Sequence, residues 1–458
     1  MGEQAGSVYY VFVAAVFFAY WACARWRLPR LGIILFANYL FCARFGLFYI
    51  LLIPACSTLD FLAGLGLMRF RGAAVRRLLA GGSIALNLTV MAGSRHMGLF
   101  LGHGRWDWIF PLGLSFYALQ SLTYTIDLYR RDGEGTASLL EYLSAAAFFP
   151  TLQAGPITHV TDLVKQLRER PNLTRTDGGR ALFLIGMGLL KKALVADYLA
   201  ENLVNRVFDT PKLYSGGEAL IAVFGYSLQL YYDFSAYTDV ARGIGLLLGI
   251  RLPINFDRPY QSANLTEFWR RWHLSFSNWL RDYLFFSLPG GRTKVMPYLN
   301  LVITMVLGGL WHGTTWPFAI WGLLHGMGLA ATRGWWAWRG RPRTPVNPWR
   351  RALAVLGTYL FVCLTWIFFR AGSLAEALAI LERIASLTAG FENISGRLAA
   401  VLLLAAGALF LRQAWYTRTM EAFEQSPFYV QAVALALVVV TIQLVGGGGN
   451  APFVYSRF

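Results

Sequence analysis

Charge is what this sequence has least of for its size. Only 14% of its 458 residues are charged while 56% are hydrophobic, which excludes an ordinary water-soluble domain, where about a quarter of residues are charged. Acidic residues are the scarcer sign, 24 against 41 Lys and Arg, giving a net charge of +17. The basic residues do not call for nucleic acid, because they gather in short segments between apolar runs: Arg69 to Arg77, Lys165 to Arg180 and Arg339 to Arg351. Loops on the cytoplasmic side of a membrane protein have that character. Cysteine is nearly absent, and Cys23, Cys42, Cys56 and Cys363 lie in or beside apolar segments without metal-ligand or disulfide spacing. They are read as packing residues, and no metal is expected. No fixed-period repeat is visible, and the two halves differ in hydropathy and aromatic pattern, which weighs against a transporter built from paired halves.

Long uncharged stretches are present instead. A membrane-spanning helix needs roughly 20 apolar residues, and Val8 to Ala24, Trp108 to Ile126, Ala352 to Phe369 and Gln425 to Ser456 contain no Asp, Glu, Lys or Arg. The run from Val295 to Thr332 is long enough for two helices joined at residues 313–317. Arg25, Arg27 and Arg30 follow the first segment where a cleavage site would need small residues, so a retained first helix is expected. Polar clusters interrupt the apolar pattern. FFPTLQAGPI at 148–157 carries two prolines and a glycine that forbid a straight helix, and YSLQLYYDFSAYTDVARG at 226–243 sets Asp233 and Asp239 among aromatics. Irregular backbone at membrane depth needs support from protein or water, so the chain is expected to enclose a polar cavity.

Of six histidines, two stand in unusual company. His312 lies in GGLWHGTTWPF, deep inside an uncharged run, where an ionisable group marks a functional site by default. A neutral histidine bonded to a neighbouring helix fits the same pattern. His273 lies in FWRRWHLSFSNWLRDYL, residues 268–284, which reads as one amphipathic helix with Phe268, Trp272, Phe276, Trp279 and Tyr283 on the apolar stripe. Such a helix suits a membrane interface or the mouth of a cavity, and a structural His273 fits it equally well. Gly446 to Gly449 precede a tail rich in aromatics, whose simplest reading is a flexible segment with interfacial anchors.

Taken together, PLGLSFYALQSLTYTIDLYR at 111–130, FFPTLQAGPI, YSLQLYYDFSAYTD, FWRRWHLSFSNWLRDYL and LWHGTTW resemble, in order, the membrane-bound O-acyltransferase (MBOAT) superfamily. The likeness is to its bacterial branch of alginate, peptidoglycan and teichoic-acid acylating proteins, and it spans residues 105–370 plus the extreme C-terminus. The resemblance implies an all-α polytopic membrane fold of about eleven transmembrane helices, with interfacial and re-entrant helices enclosing a central polar funnel or tunnel. Residues 1–445 would form one membrane domain and residues 446–458 a flexible tail.

The resemblance also implies roles. His312 corresponds to the family's recurrent histidine and would activate the acceptor hydroxyl. His273 would orient the donor or assist at the carbonyl, while His325, thirteen positions after His312, is expected to be structural. Trp311 and Trp316 would wall the thioester from water, and Asp233 and Arg281 would hold polar parts of the donor. Tyr455 would carry the acyl group as a relay, since a phenol of pKa about 10 leaves more readily than an alkyl alcohol. No bound cofactor is expected. The donor would be acetyl-CoA or a carrier-protein thioester, and the location the bacterial inner membrane, crossed several times. Implied partners are an extracytoplasmic SGNH-type or related acetyltransferase, a polysaccharide synthase and secretion complex, and membrane lipid. Peptidoglycan O-acetylation and D-alanyl transfer are the alternatives within the family, and a glycolipid transporter or flippase the alternative outside it.

Overall fold

A computed structural model describes residues 2–44, 46–101, 113–290, 293–340 and 347–445. Every regular element among them is helical, with no strand. A chain with this apolar content has little choice, because a helix satisfies its backbone groups internally where water is absent. Phe48–Arg69 and Pro348–Arg370, 22 and 23 residues with mean hydropathy 1.8 and 2.1, are long and apolar enough to cross a membrane. Gly396–Leu409 and Gln413–Gln425, bent at 93°, form one further candidate if they count as a single span. The uncharged stretches fall on helices accordingly: Val8 to Ala24 on Gly2–Ala22, and Ala352 to Phe369 on Pro348–Arg370. Trp108 to Ile126 is described only from Gly113, as the start of the helix Gly113–Arg130. The C-terminal stretch is helical over Phe428–Val445.

The chain divides into two compact units. The first comprises Met1–Ile185, Tyr237–Pro253 and Phe423–Pro427. Its core shows how a broken backbone is tolerated in apolar surroundings. The FFPTLQAGPI segment makes only a four-residue helix, Phe149–Leu152, before turning. Side chains from intact helices meet the freed groups. Asn38 donates to the Ser144 carbonyl at 3.0 Å and accepts from the Phe149 N–H at 2.9 Å, and Gln120 donates to the carbonyls of Ala145 and Ala146. The buried Asp60, inside the Phe48–Arg69 span, accepts from Ser83, Ser121 and Asn87 at 2.5, 2.6 and 2.8 Å.

The second unit comprises Gly186–Ala236, Ile254–Ala422 and Phe428–Phe458. The long uncharged run resolves into Met296–His312 and Trp316–Arg339, two helices joined at residues 313–315 where the sequence placed the turn. They pack backbone to backbone through glycine. A Cβ on Gly322 would lie 2.3 Å from the Met305 carbonyl oxygen, one on Gly309 2.3 Å from that of Phe318, and one on Gly326 2.6 Å from Val302 Cα. Small residues at such spacing are what helix pairs in lipid require for close approach.

The region 268–284 is not the single amphipathic helix expected. It forms Leu265–Trp269, a break, Leu274–Trp279 and a π-helical turn, Leu280–Leu284. The interruption is at His273, whose φ of 42° is left-handed and cannot continue a helix. The restart is held by Asn255, which accepts from the Leu274 N–H through its carbonyl at 2.9 Å and from the Ser275 N–H through Oδ1 at 3.1 Å.

Gly322→Ala should therefore destabilise the protein by about 1–3 kcal/mol, since an added methyl at a tight contact forces backbone shifts. Gly357→Ala, where a Cβ meets nothing within 4 Å, should leave stability unchanged or slightly raised. Thermal unfolding of both variants in detergent micelles checks this, and equal melting temperatures would count against the seam.

Candidate functional site

His312 is the last residue of the Met296–His312 helix and is 2% exposed. The turn that follows lets the next helix fold back beside it, so its ring meets others from sequence-distant elements. The Trp311, Phe369, Trp321 and Phe276 rings lie 4.6, 4.9, 5.5 and 5.7 Å from it, all but one within 20° of perpendicular. Phe318 lies nearly parallel at 6.4 Å. Edge-to-face rings build a dry, rigid wall.

His273 enters the same cluster from the other direction. The helix break turns its ring inward, 1% exposed, against Phe234 at 4.6 Å and stacked on Phe276 at 5.0 Å. Phe276 is in turn stacked on Trp311 at 4.5 Å. Both histidines thus border one aromatic pair, Phe276 and Trp311, and the pair lies between the Leu274–Trp279 segment and the end of the Met296–His312 helix. A continuous helix through residue 273 would have left its side chain on the edge of the stripe.

His325 is differently placed. Its Nδ1 accepts from Trp269 Nε1 at 3.2 Å, and its Nε2 pairs with Thr365 Oγ1 at 2.9 Å. Because Thr365 Oγ1 already donates to the Val362 carbonyl at 2.8 Å, Nε2 carries the proton and donates. Both ring nitrogens are engaged, which accords with the structural role read for this residue.

The remaining sequence candidates disperse. Trp311 belongs to the cluster, 6% exposed, whereas Trp316 opens the next helix with its ring 76% exposed; Phe318, Trp321 and Phe369 supply the walls around His312. Asp233 is buried and paired with Lys192 at 2.9 Å, while Lys192 also meets Asp197 at 2.7 Å. Asp233 immediately precedes Phe234, so this ionic group adjoins the residue packed on His273. Arg281 is half-exposed and bidentate to Asp282 at 2.7 and 2.8 Å. Tyr455 and the glycine run lie outside the described residues. No cluster of three or more His, Cys, Asp or Glu suited to a metal occurs among the described residues.

Sequence reasoning missed Phe234 and Phe369 as neighbours of the histidines, Lys192 as the partner of Asp233, and Asn255 as the support of the break. Phe276 carried a signal, its place on the aromatic stripe. Phe369 and Asn255 carried none, because their relation to the site is purely tertiary. Alongside these elements lies an open cleft of about 630 Å³, lined by residues that include Leu280, Met305, Arg270, Arg281 and Arg333.

Asn255→Ala removes the acceptor for the Ser275 N–H and should cost about 0.5–2 kcal/mol, the usual cost of losing a helix cap. Asn255→Asp keeps the acceptor and should retain most of that stability. Chemical denaturation of the two variants separates them, and equal losses would refute the capping role.

Residues 100–374 match the model of MBOAT, the membrane-bound O-acyltransferase family. The chain is 43% identical over 273 residues to a probable alginate O-acetylase AlgI of Azotobacter vinelandii, covering 59% of this chain and 52% of that protein. It is 33% identical over 390 residues to a peptidoglycan O-acetyltransferase of Helicobacter pylori, covering 77% and 73%. To a teichoic acid D-alanyltransferase of Streptococcus thermophilus it is 30% identical over 283 residues, covering 56% and 68%. The match spans about half the length of the alginate O-acetylase relatives. With the matched region taking in His273, His312 and the rings between them, this chain belongs to the membrane-bound O-acyltransferase family.

Proposed function

We propose that the chain is a multi-pass inner-membrane O-acyltransferase that takes an acetyl group from a cytoplasmic thioester and passes it toward a secreted exopolysaccharide, alginate-like or cellulose-like. The donor is acetyl-CoA or an acylated carrier protein. The observation that carries this reading is His312, a buried histidine walled by aromatic rings at the end of an apolar helix and sharing the Phe276–Trp311 pair with His273. An imidazole has an unperturbed pKa of about 6.5, near working pH, which suits a general base.

The steps follow from that placement. The acceptor hydroxyl gives its proton to the His312 imidazole as its oxygen attacks the thioester carbonyl. The tetrahedral oxyanion then collapses, the carbon–sulfur bond breaks, and the departing thiolate takes the proton back from His312. His273 orients the donor at the carbonyl. The wall formed by Trp311 and its neighbours excludes water that would otherwise hydrolyse the thioester. Asp233 and Arg281 hold polar parts of the donor. An architecture of about eleven spanning helices around a polar funnel would bring donor and acceptor together across the bilayer.

The first acceptor in this reading is Tyr455. Its phenol oxygen takes the acetyl group, and a glycine-rich tether lets the tail carry it onward. An extracytoplasmic SGNH-type acetyltransferase, working with a polysaccharide synthase and secretion complex, then receives the group. Peptidoglycan O-acetylation is a second reading, favoured by the Helicobacter pylori relative, which the chain matches over more of both sequences than it does the alginate O-acetylases. D-alanyl transfer is a third, favoured by the likeness to the teichoic acid D-alanyltransferases. The nature of the acylated glycan in cells decides among them.

His312→Ala, inserted and expressed as the parent, should lose about 10²- to 10⁴-fold in acyl transfer by purified membranes, the contribution of a positioned general base. Parental turnover in that variant would overturn the reading. Mass spectrometry of the C-terminal peptide during turnover should find acetyl on Tyr455, and an active Tyr455→Phe variant without an acylated intermediate would remove the relay while leaving the transferase reading intact.

A further inference from the structure

His273 is held in a conformation that its local sequence does not favour. The aromatic residues around it repeat at helical spacing, yet its φ of 42° is left-handed, where an L-residue other than glycine or asparagine sets its Cβ against the following carbonyl. Such strain persists only where the surroundings over-determine it, and it collects at functional sites. Here the constraint comes from a second segment, residues 254–257.

Three hydrogen bonds from that segment straddle His273. Before it, the Asp257 N–H donates to the Arg271 carbonyl at 2.9 Å. After it, the Leu274 N–H donates to the Asn255 carbonyl at 2.9 Å and the Ser275 N–H to Asn255 Oδ1 at 3.1 Å. Residue 257 thus meets 271 and residue 255 meets 274, so the two segments run in opposite directions with His273 between the tie points.

The same segment acts on the imidazole through rings. Phe256 lies edge to face with Phe234 at 5.2 Å and with Trp272 at 5.1 Å, and Phe234 packs on His273 at 4.6 Å. The other ring against His273 is Phe276, at 5.0 Å, on the Leu274–Trp279 helix whose first N–H groups Asn255 receives. Asn255 and Phe256 therefore hold both aromatic neighbours of the imidazole. Asn255 is 1% exposed, and its carbonyl and Oδ1 are committed to the break, so its effect on chemistry passes through His273.

We propose that Asn255 is a positioning residue for acyl transfer, keeping His273 left-handed and its ring at the angle that the reacting carbonyl requires. The proposal rests on the acyl-transfer reading given above. A hydrogen bond weakens steeply below an angle of about 120°, and a misplacement of about 1 Å can cost a reaction about 10²-fold. Without the Asn255 side chain, the helical spacing of residues 268–284 favours a continuous helix, which moves the ring to the edge of the aromatic stripe.

Acyl transfer by purified membranes, supplied with acetyl-CoA or an acetylated carrier protein and normalised to folded protein, tests this. Asn255→Ala should lower kcat about 10- to 100-fold with the donor KM near the parental value, the pattern of an interaction made in the transition state. Asn255→Asp, which keeps the acceptor, should recover most of the loss. His273→Asn removes the imidazole but tolerates the left-handed backbone, and in that background Asn255→Ala should cost no more than about twofold further. Parental kcat in Asn255→Ala, parental turnover in His273→Asn, or equal fold losses from Asn255→Ala in the two backgrounds overturns the proposal. Where turnover of His273→Asn falls below detection, equal kcat in Asn255→Ala and Asn255→Asp overturns it. Parental turnover in His312→Ala, or no transfer by the parent from either donor, instead removes the acyl-transfer reading itself.

Discussion

The second unit is organised by the contact between the Met296–His312 and Trp316–Arg339 helices. Where Gly309, Gly322 and Gly326 meet the opposing backbone, any side chain would collide with a carbonyl or Cα. Only at that separation does the short connection at residues 313–315 return the chain so that Phe318 and Trp321 face His312. The driving force cannot be hydrophobic in lipid, where tails are as apolar as leucine, so packing at contact distance has to hold the pair. Glycine supplies the packing here, and the aromatic enclosure of His312 follows from it.

A second constraint operates wherever helices stop inside the protein. Each break leaves backbone groups that cost several kcal/mol if unsatisfied, and this chain meets them with side chains borrowed from continuous helices or neighbouring loops. Asn38 and Gln120 do so around residues 144–149 in the first unit, and Asn255 does so at residues 274 and 275 in the second. In the second case the break has a chemical consequence. It turns His273 from the edge of an amphipathic stripe into a ring stacked on Phe276.

What could be read from the sequence was what local pattern encodes. The helical class followed from uncharged run lengths, and the turn after His312 from the Gly313 to Pro317 segment. The irregularity at residues 148–157 followed from its prolines. The break at His273 was not legible, because an alternating pattern of aromatic and basic residues at helical spacing looks the same whether or not the helix is continuous. What interrupts it is a left-handed residue supported by Asn255, eighteen positions earlier. Likewise the aromatic shell drew Phe369 from the helix after next, while Trp316, at the first position of the helix that follows the turn after His312, is exposed.

His325 and His312 share burial and aromatic company, so neither feature distinguishes the two. Both are buried histidines among tryptophan and phenylalanine rings in one unit. At His325, however, an indole N–H already occupies one nitrogen and a hydroxyl, itself committed to a carbonyl, requires the proton on the other. To accept a further proton His325 would have to surrender the Trp269 bond inside an apolar core. It therefore works as a strut, tying the Leu265–Trp269 helix to Trp316–Arg339 and Pro348–Arg370. That strut fixes Trp269 and Phe268 just ahead of the break, so His325 helps to place His273, whose ring stacks on Phe276 of the shared aromatic pair.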